Sequence, residues 1–209
     1  MKIEIWSDIM CPFCYIGKRH LELALQQFPE MKVELVWKSF QLDPTITPQP
    51  GKDVYSYLAE RKGMSLEESK QMHQHVVDRA AEVGLVYNYD KAIIANSFDA
   101  HRLLHLAKRN GKGNELKEKL LAAYFTEGKD FGDKQVLTQL GLEVGLKEED
   151  IHTVLYTDMY AREFQADIQE AQEIGVRGVP FFVFDRKYAV SGAQPIEAFV
   201  ETIQAVLQK

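Results

Sequence analysis

Cys11 and Cys14 enclose Pro12 and Phe13, and no other cysteine occurs in 209 residues. Thiols at this spacing suit dithiol–disulfide exchange. A thiolate attacks a disulfide, and a second thiol one helical turn away displaces the product and closes a short disulfide. The flanking residues favour that chemistry. Ile3-Glu4-Ile5-Trp6 alternates and is β-rich, so it reads as a strand, and Pro12 then suits the first position of a helix. A helix N-terminus leaves backbone N–H groups unpaired and carries a partial positive charge, both of which favour a thiolate. Cys14, Leu21, Leu25 and Phe28 fall within about 60° of arc on that helix. Cys14 is therefore expected to be buried. Cys11 is rotated off this stripe and is expected to be more exposed and acidic. Cys11 is read as the attacking thiol and Cys14 as the resolving thiol, with Pro12 and Phe13 offering surface to a peptide-like substrate.

Other chemistries fit less of the pattern. Two buried core cysteines would not explain the strand-to-helix setting. Structural zinc needs about four ligands, and the nearest further set at helical spacing, His101 and His105, lies far along the chain. A cysteine hydrolase needs a neighbouring His and leaves Cys14 unexplained. His101 and His105 read as half-buried or solvated side chains of one helix, or as the lining of a polar cleft. His73 and His75 point to different sides of theirs. His20 and His152 have no evident partners.

The elements that must position the dithiol follow from patterning. The helix from Pro12 stops by Pro29, and Val33-Glu34-Leu35-Val36-Trp37 is a second strand, giving a βαβ unit. Pro44, Pro48, Pro50 and Gly51 mark a loop. Helical patterns then run for more than a hundred residues. Asp53 is a candidate cap, Ser65-Leu66-Glu67-Glu68 a capping box, and Asn96 or Ser97 a further start. Gly84, Asn110-Gly111, Gly128, Gly145 and Gly175 are stops. Phe181-Phe182-Val183-Phe184, the turn Asp185-Arg186-Lys187 and Tyr188-Ala189-Val190-Ser191 form a hairpin, and a last helix starts near Pro195. A βαβ half and an α-ββ-α half can share one sheet, with the helical block inserted between them.

Composition bounds the class. The chain is 45% hydrophobic and 27% charged, which suits a folded domain, and its net charge of −6 weighs against a nucleic-acid binder. The longest apolar runs are too short to span a bilayer. Glu4 and Asp8 interrupt the N-terminus, which has no apolar stretch of signal-peptide length. A cytoplasmic location is expected, where adjacent cysteines are more often catalytic or metal-binding than structural.

Three blocks together carry a family resemblance over essentially the whole chain. They are Asp8-Ile9-Met10-Cys11-Pro12-Phe13-Cys14-Tyr15-Ile16-Gly17, Asn96 to Leu103, and Gly175 to Val183 with Val190-Ser191-Gly192-Ala193-Gln194. The chain resembles the DsbA-like branch of the thioredoxin superfamily, most closely its cytosolic FrnE-like members. The resemblance implies an α/β thioredoxin fold (residues 1–42 and 160–209) with a large all-α insertion (43–159). It implies a cis bond before Pro180, facing the dithiol, and a substrate-binding role for Val179, through its backbone groups, and for Pro180. It implies a protein-disulfide oxidoreductase with no metal or organic cofactor, acting on disulfide- or dithiol-containing proteins or peptides. Glutathione stays open as a redox partner. Kappa-class glutathione transferases and 2-hydroxychromene-2-carboxylate isomerases share the layout but typically carry a serine at the position of Cys11. A glutathione-dependent transferase or isomerase is therefore one alternative. A holdase-like binding protein with a redox-sensing dithiol is another.

Overall fold

The structure, a computed structural model, describes residues 1–49 and 51–208. Pro50, one of the loop breakers, and Lys209, the last residue of the expected thioredoxin half, lie outside the described residues. Four strands form one sheet in the order β2-β1-β3-β4: β1 (Lys2–Ser7), β2 (Glu34–Ser39), β3 (Phe181–Phe184) and β4 (Tyr188–Ser191). β1 and β2 are parallel, with Ile5 opposite Trp37. β3 is antiparallel to both β1 and β4, with Phe182 opposite Ile5 and Val190. The two ends of the sequence thus meet at β1, which lies inside the sheet.

Strand alternation divides the apolar side chains between two faces. Ile3, Ile5, Phe182 and Phe184 pack in the main core with Phe199, while Trp6 and Val183 pack with Ala171 on the other side. Helix α1 (Pro12–Leu25) and the last helix, α9 (Ile196–Leu207), pack on each other. Phe182 meets Phe199 of α9 edge-on, with centroids 4.9 Å apart.

Among the described residues, six α-helices fill the stretch between the sheet halves: α2 (Val54–Lys62), α3 (Leu66–Ala81), α4 (Phe98–Arg109), α5 (Gly113–Ala122), α6 (Lys134–Glu143) and α7 (Glu148–Tyr156). Helix α8 (Ala161–Glu173) then leads back to β3. Local sequence sets the starts of α2 and α3. Asp53 accepts a hydrogen bond from the Ser56 N–H, and both halves of the Ser65–Glu68 capping box are made. Patterning did not indicate a 3₁₀ turn at Tyr89–Lys91 or a π turn at Ala123–Glu127 that continues α5. The Val179–Pro180 peptide bond is cis.

Candidate active site

Cys11 is the N-cap of α1, with extended φ and ψ, and its carbonyl accepts the Cys14 N–H at 3.0 Å. Helical rotation sends Cys14 inward, and it is 1% exposed as its place on the apolar stripe requires. Cys11 departs from expectation: it is 3% exposed and is also buried. The chain that returns from α8 covers it, and the Cys11 thiol donates to the Val179 carbonyl at 3.4 Å. That covering comes from 168 residues away and is invisible to the rotation of a single helix.

The two sulfurs differ in access. Cys11, Pro12, Phe13 and Val179 share the wall of one cavity of about 590 Å³, formed between the start of α1 and helices α2 and α3. Cys14 and Pro180 lie behind that wall, both buried. The Phe13 ring carries the Arg79 guanidinium at 5.5 Å. Pro180 packs instead against α1, where a Cβ on Gly17 would lie 3.0 Å from its Cγ. Close approach of the helix to the start of β3 therefore needs a glycine at position 17.

The two thiols lie close enough to titrate as a pair. The Cys14 sulfur, its burial and the charge of Asp8 push the Cys11 thiol up. For Cys14, burial is outweighed by the neighbouring Cys11 thiol and the Lys117 ammonium, and its pKa is lowered. The Lys117 ammonium favours the charged form of the inner sulfur. The helix terminus serves both sulfurs, and a buried cation, Lys117, acts on Cys14.

That cation belongs to a polar cluster beneath the dithiol. Asp8, fully buried, accepts from the N–H groups of Ile9 at 2.7 Å and Leu42 at 2.8 Å, and from His101 Nε2 at 3.3 Å. Burial opposes its ionisation, but His101 and these donors hold its carboxyl below the usual range. Lys117, on α5, is also fully buried. Its Nζ has no hydrogen-bond partner, and the Trp37 ring lies 5.4 Å away. Burial pushes its pKa down to about 8. His105 bonds Ser39 Oγ at 3.1 Å and Asp167 Oδ2 at 3.2 Å. His101 and His105 are therefore buried rather than solvated, each against a carboxylate from elsewhere in the chain. His20 and His152, without evident partners in sequence, bond the Gln194 carbonyl at 2.6 Å and stack on Tyr156 at 4.4 Å. Sequence reading missed Lys117, although its spacing of three, four and seven residues from Leu120, Leu121 and Tyr124 places it on the apolar arc of α5, away from Lys119.

The family model described as a DSBA-like thioredoxin domain matches residues 2–204. This chain belongs to the DsbA-like thioredoxin domain family. A family relative, the uncharacterized protein YwbO of Bacillus subtilis (strain 168), is 30% identical over 207 residues, covering 96% of this chain and 94% of that one. The DsbA-like fold matches the crystal structure of SCO1869, a probable DsbA oxidoreductase from Streptomyces coelicolor, with a TM-score of 0.93 and 40% identity. The match covers 100% of this chain and 91% of that one. DsbM from Pseudomonas aeruginosa, a cytosolic disulfide reductase, shares the fold at a TM-score of 0.71 and 16% identity, over 100% of this chain and 99% of that one. Among the described residues no helix is long and apolar enough to cross a membrane.

Proposed function

We propose that the protein is a thiol–disulfide oxidoreductase in which Cys11 attacks and Cys14 resolves. The observation that carries the roles is access, not acidity: Cys11 forms part of the cavity wall and Cys14 does not. The proton shared by the two sulfurs lets the charge pass outward. When Cys14 holds the proton, Cys11 is the thiolate and attacks a substrate sulfur. When the mixed disulfide forms, Cys14 loses its proton in the field of Lys117 and displaces the product. Pro12, Phe13 and Val179 line the approach, with the Val179 carbonyl free to accept from a substrate N–H once the Cys11 thiol ionises. Pro180 supports Val179 from behind. The substrates are disulfide- or dithiol-containing proteins or peptides, with glutathione as a further redox partner. In this reading residues 1–42 and 160–209 carry the dithiol, the helical block 43–159 shapes access to it, and the protein works in the cytoplasm as a FrnE-like enzyme.

The test is reduction of insulin disulfides with dithiothreitol as donor. Wild type accelerates it, Cys11→Ser abolishes the acceleration, and Cys14→Ser accumulates a mixed disulfide on Cys11 that mass spectrometry detects. A mixed disulfide on Cys14 in Cys11→Ser, with turnover retained, reverses the roles. A 2-hydroxychromene-2-carboxylate isomerase also shares the fold, at a TM-score of 0.70 and 12% identity. Glutathione-dependent isomerase or transferase activity that survives Cys14→Ser would favour that second reading.

A further inference from the structure

The cavity in front of Cys11 has a chemistry of its own. At about 590 Å³ it has the size of a small-molecule site, well beyond one amino-acid side chain. Phe13, Tyr57, Leu58, Met72, Tyr89 and Phe131 give it an apolar, largely aromatic wall. Two apolar side chains of that wall remain in solvent, Leu42 at 47% and Met72 at 38% exposure, which leaves an apolar rim uncovered.

Its charges are few and mostly spent. Arg61 is paired with Asp43, which also accepts from the Tyr57 hydroxyl at 2.7 Å. The ring of His73 bonds the Ser69 carbonyl at 2.8 Å and sits edge-on between Tyr55 and Tyr89. Lys62 is left as a cation of the wall, on the exposed surface of α2. Such a wall gains little from a ligand with several charges and much from an apolar one, since burial of apolar surface drives binding.

We infer that this cavity takes the apolar, aromatic-sized body of a low-molecular-weight disulfide and delivers its sulfur to Cys11. The inference rests on the redox reading above and narrows its substrate class. Cys11 is 3% exposed, and attack needs sulfur-to-sulfur approach along the breaking bond. A small apolar disulfide enters. The Cys11 thiolate attacks one sulfur of R–S–S–R, that bond breaks, a Cys11–S–S–R bond forms, and one RS⁻ leaves and takes up a proton. Cys14 thiolate then attacks the Cys11 sulfur, closes the Cys11–Cys14 bond and releases the second RS⁻. Two electrons and two protons pass from the dithiol, giving two RSH.

A single-turnover experiment tests this without an external reductant. Reduced full-length protein is mixed with bis(2-phenylethyl) disulfide, bis(2-hydroxyethyl) disulfide or glutathione disulfide. Acid-quench mass spectrometry follows the mixed disulfide, and each rate is divided by that of a free cysteine peptide. The aromatic disulfide is expected to show at least about tenfold greater acceleration than either other compound, the factor expected for burying one ring. Leu58→Trp, which fills the cavity, and Met72→Glu, at its exposed rim, are each expected to bring that preference towards one. Equal acceleration of all three disulfides by wild type, or a preference for glutathione disulfide, overturns the cavity's role and leaves the redox reading standing. No acceleration of any disulfide overturns both.

Discussion

A buried ammonium without a hydrogen bond is costly, so Lys117 needs a counter-charge, and the groups whose fields reach it are Cys14, Asp8 and Cys11. Its expected role is to hold negative charge on the inner sulfur during resolution. Lys117→Met, which keeps the length and removes the charge, should raise the pKa of the first thiol ionisation, read from thiolate ultraviolet absorbance against pH. A merely structural lysine would leave that titration where it is. Stability should move the other way. The folded pKa of about 8 lies below the ordinary 10.5, so the burial penalty is full below pH about 8 and fades as the pH rises towards 10.5. Urea midpoints of Lys117→Met should therefore exceed those of wild type, by most below pH about 8. The neighbouring histidines illustrate how little a side chain's type says about its partner. His101 and His105 share one helical face, yet each is consumed by a different carboxylate, Asp8 and Asp167.

At the scale of elements, α1 is clamped where the chemistry begins. Its first carbonyl, that of Pro12, accepts the Tyr87 hydroxyl at 2.7 Å, and Gly17 lets its second turn touch Pro180. A Cβ at position 17 would also lie 3.1 Å from the Phe182 ring, so larger side chains must push α1 away from the sheet. Gly17→Val should cost about 1–3 kcal/mol of stability in urea unfolding, the usual penalty for overpacking a filled core. It should also slow formation of the mixed disulfide, because the same shift separates Cys11 from Val179. Unchanged stability and rate would mean that the contact is slack. Most element boundaries were readable in advance because their signals are local: Pro12 at the start of α1, the Ser65–Glu68 box on α3, and the Asp185-Arg186-Lys187 turn between β3 and β4. The π turn after α5 has no such signal. Its Tyr124 and Phe125 are fitted to partners from elsewhere, Phe131 and Tyr87.

Across the whole molecule, the helical block and the sheet half are joined by ionic and polar contacts around the dithiol as well as by the core. Glu118 of α5 accepts from Tyr15 at 2.6 Å and pairs with Lys18 and Arg19 of α1. Burial opposes its ionisation, but these partners bring its pKa to about 2, against 4.5. The depressed value fixes the sign: the stabilisation is complete above pH about 4.5 and is lost as the pH falls through about 2. Urea midpoints measured from pH 6 downward should fall more steeply in wild type than in Glu118→Gln. Parallel curves would show that this junction contributes nothing to the acid response. The pair is partly exposed, so salt should reduce the difference.

The sequence by itself determined the dithiol, the strand-to-helix junction that carries it, the order of strands and helices and the family, because caps, turns and alternation act between residues a few positions apart. Tertiary structure alone decided that Cys11 is buried under Val179, that the buried Lys117 ammonium acts on Cys14, and that a 590 Å³ apolar cavity stands before the outer sulfur. Each of these depends on residues far apart in the chain. Burial, electric field and cavity shape come from neighbours in space, and the periodicity of one helix holds no record of them.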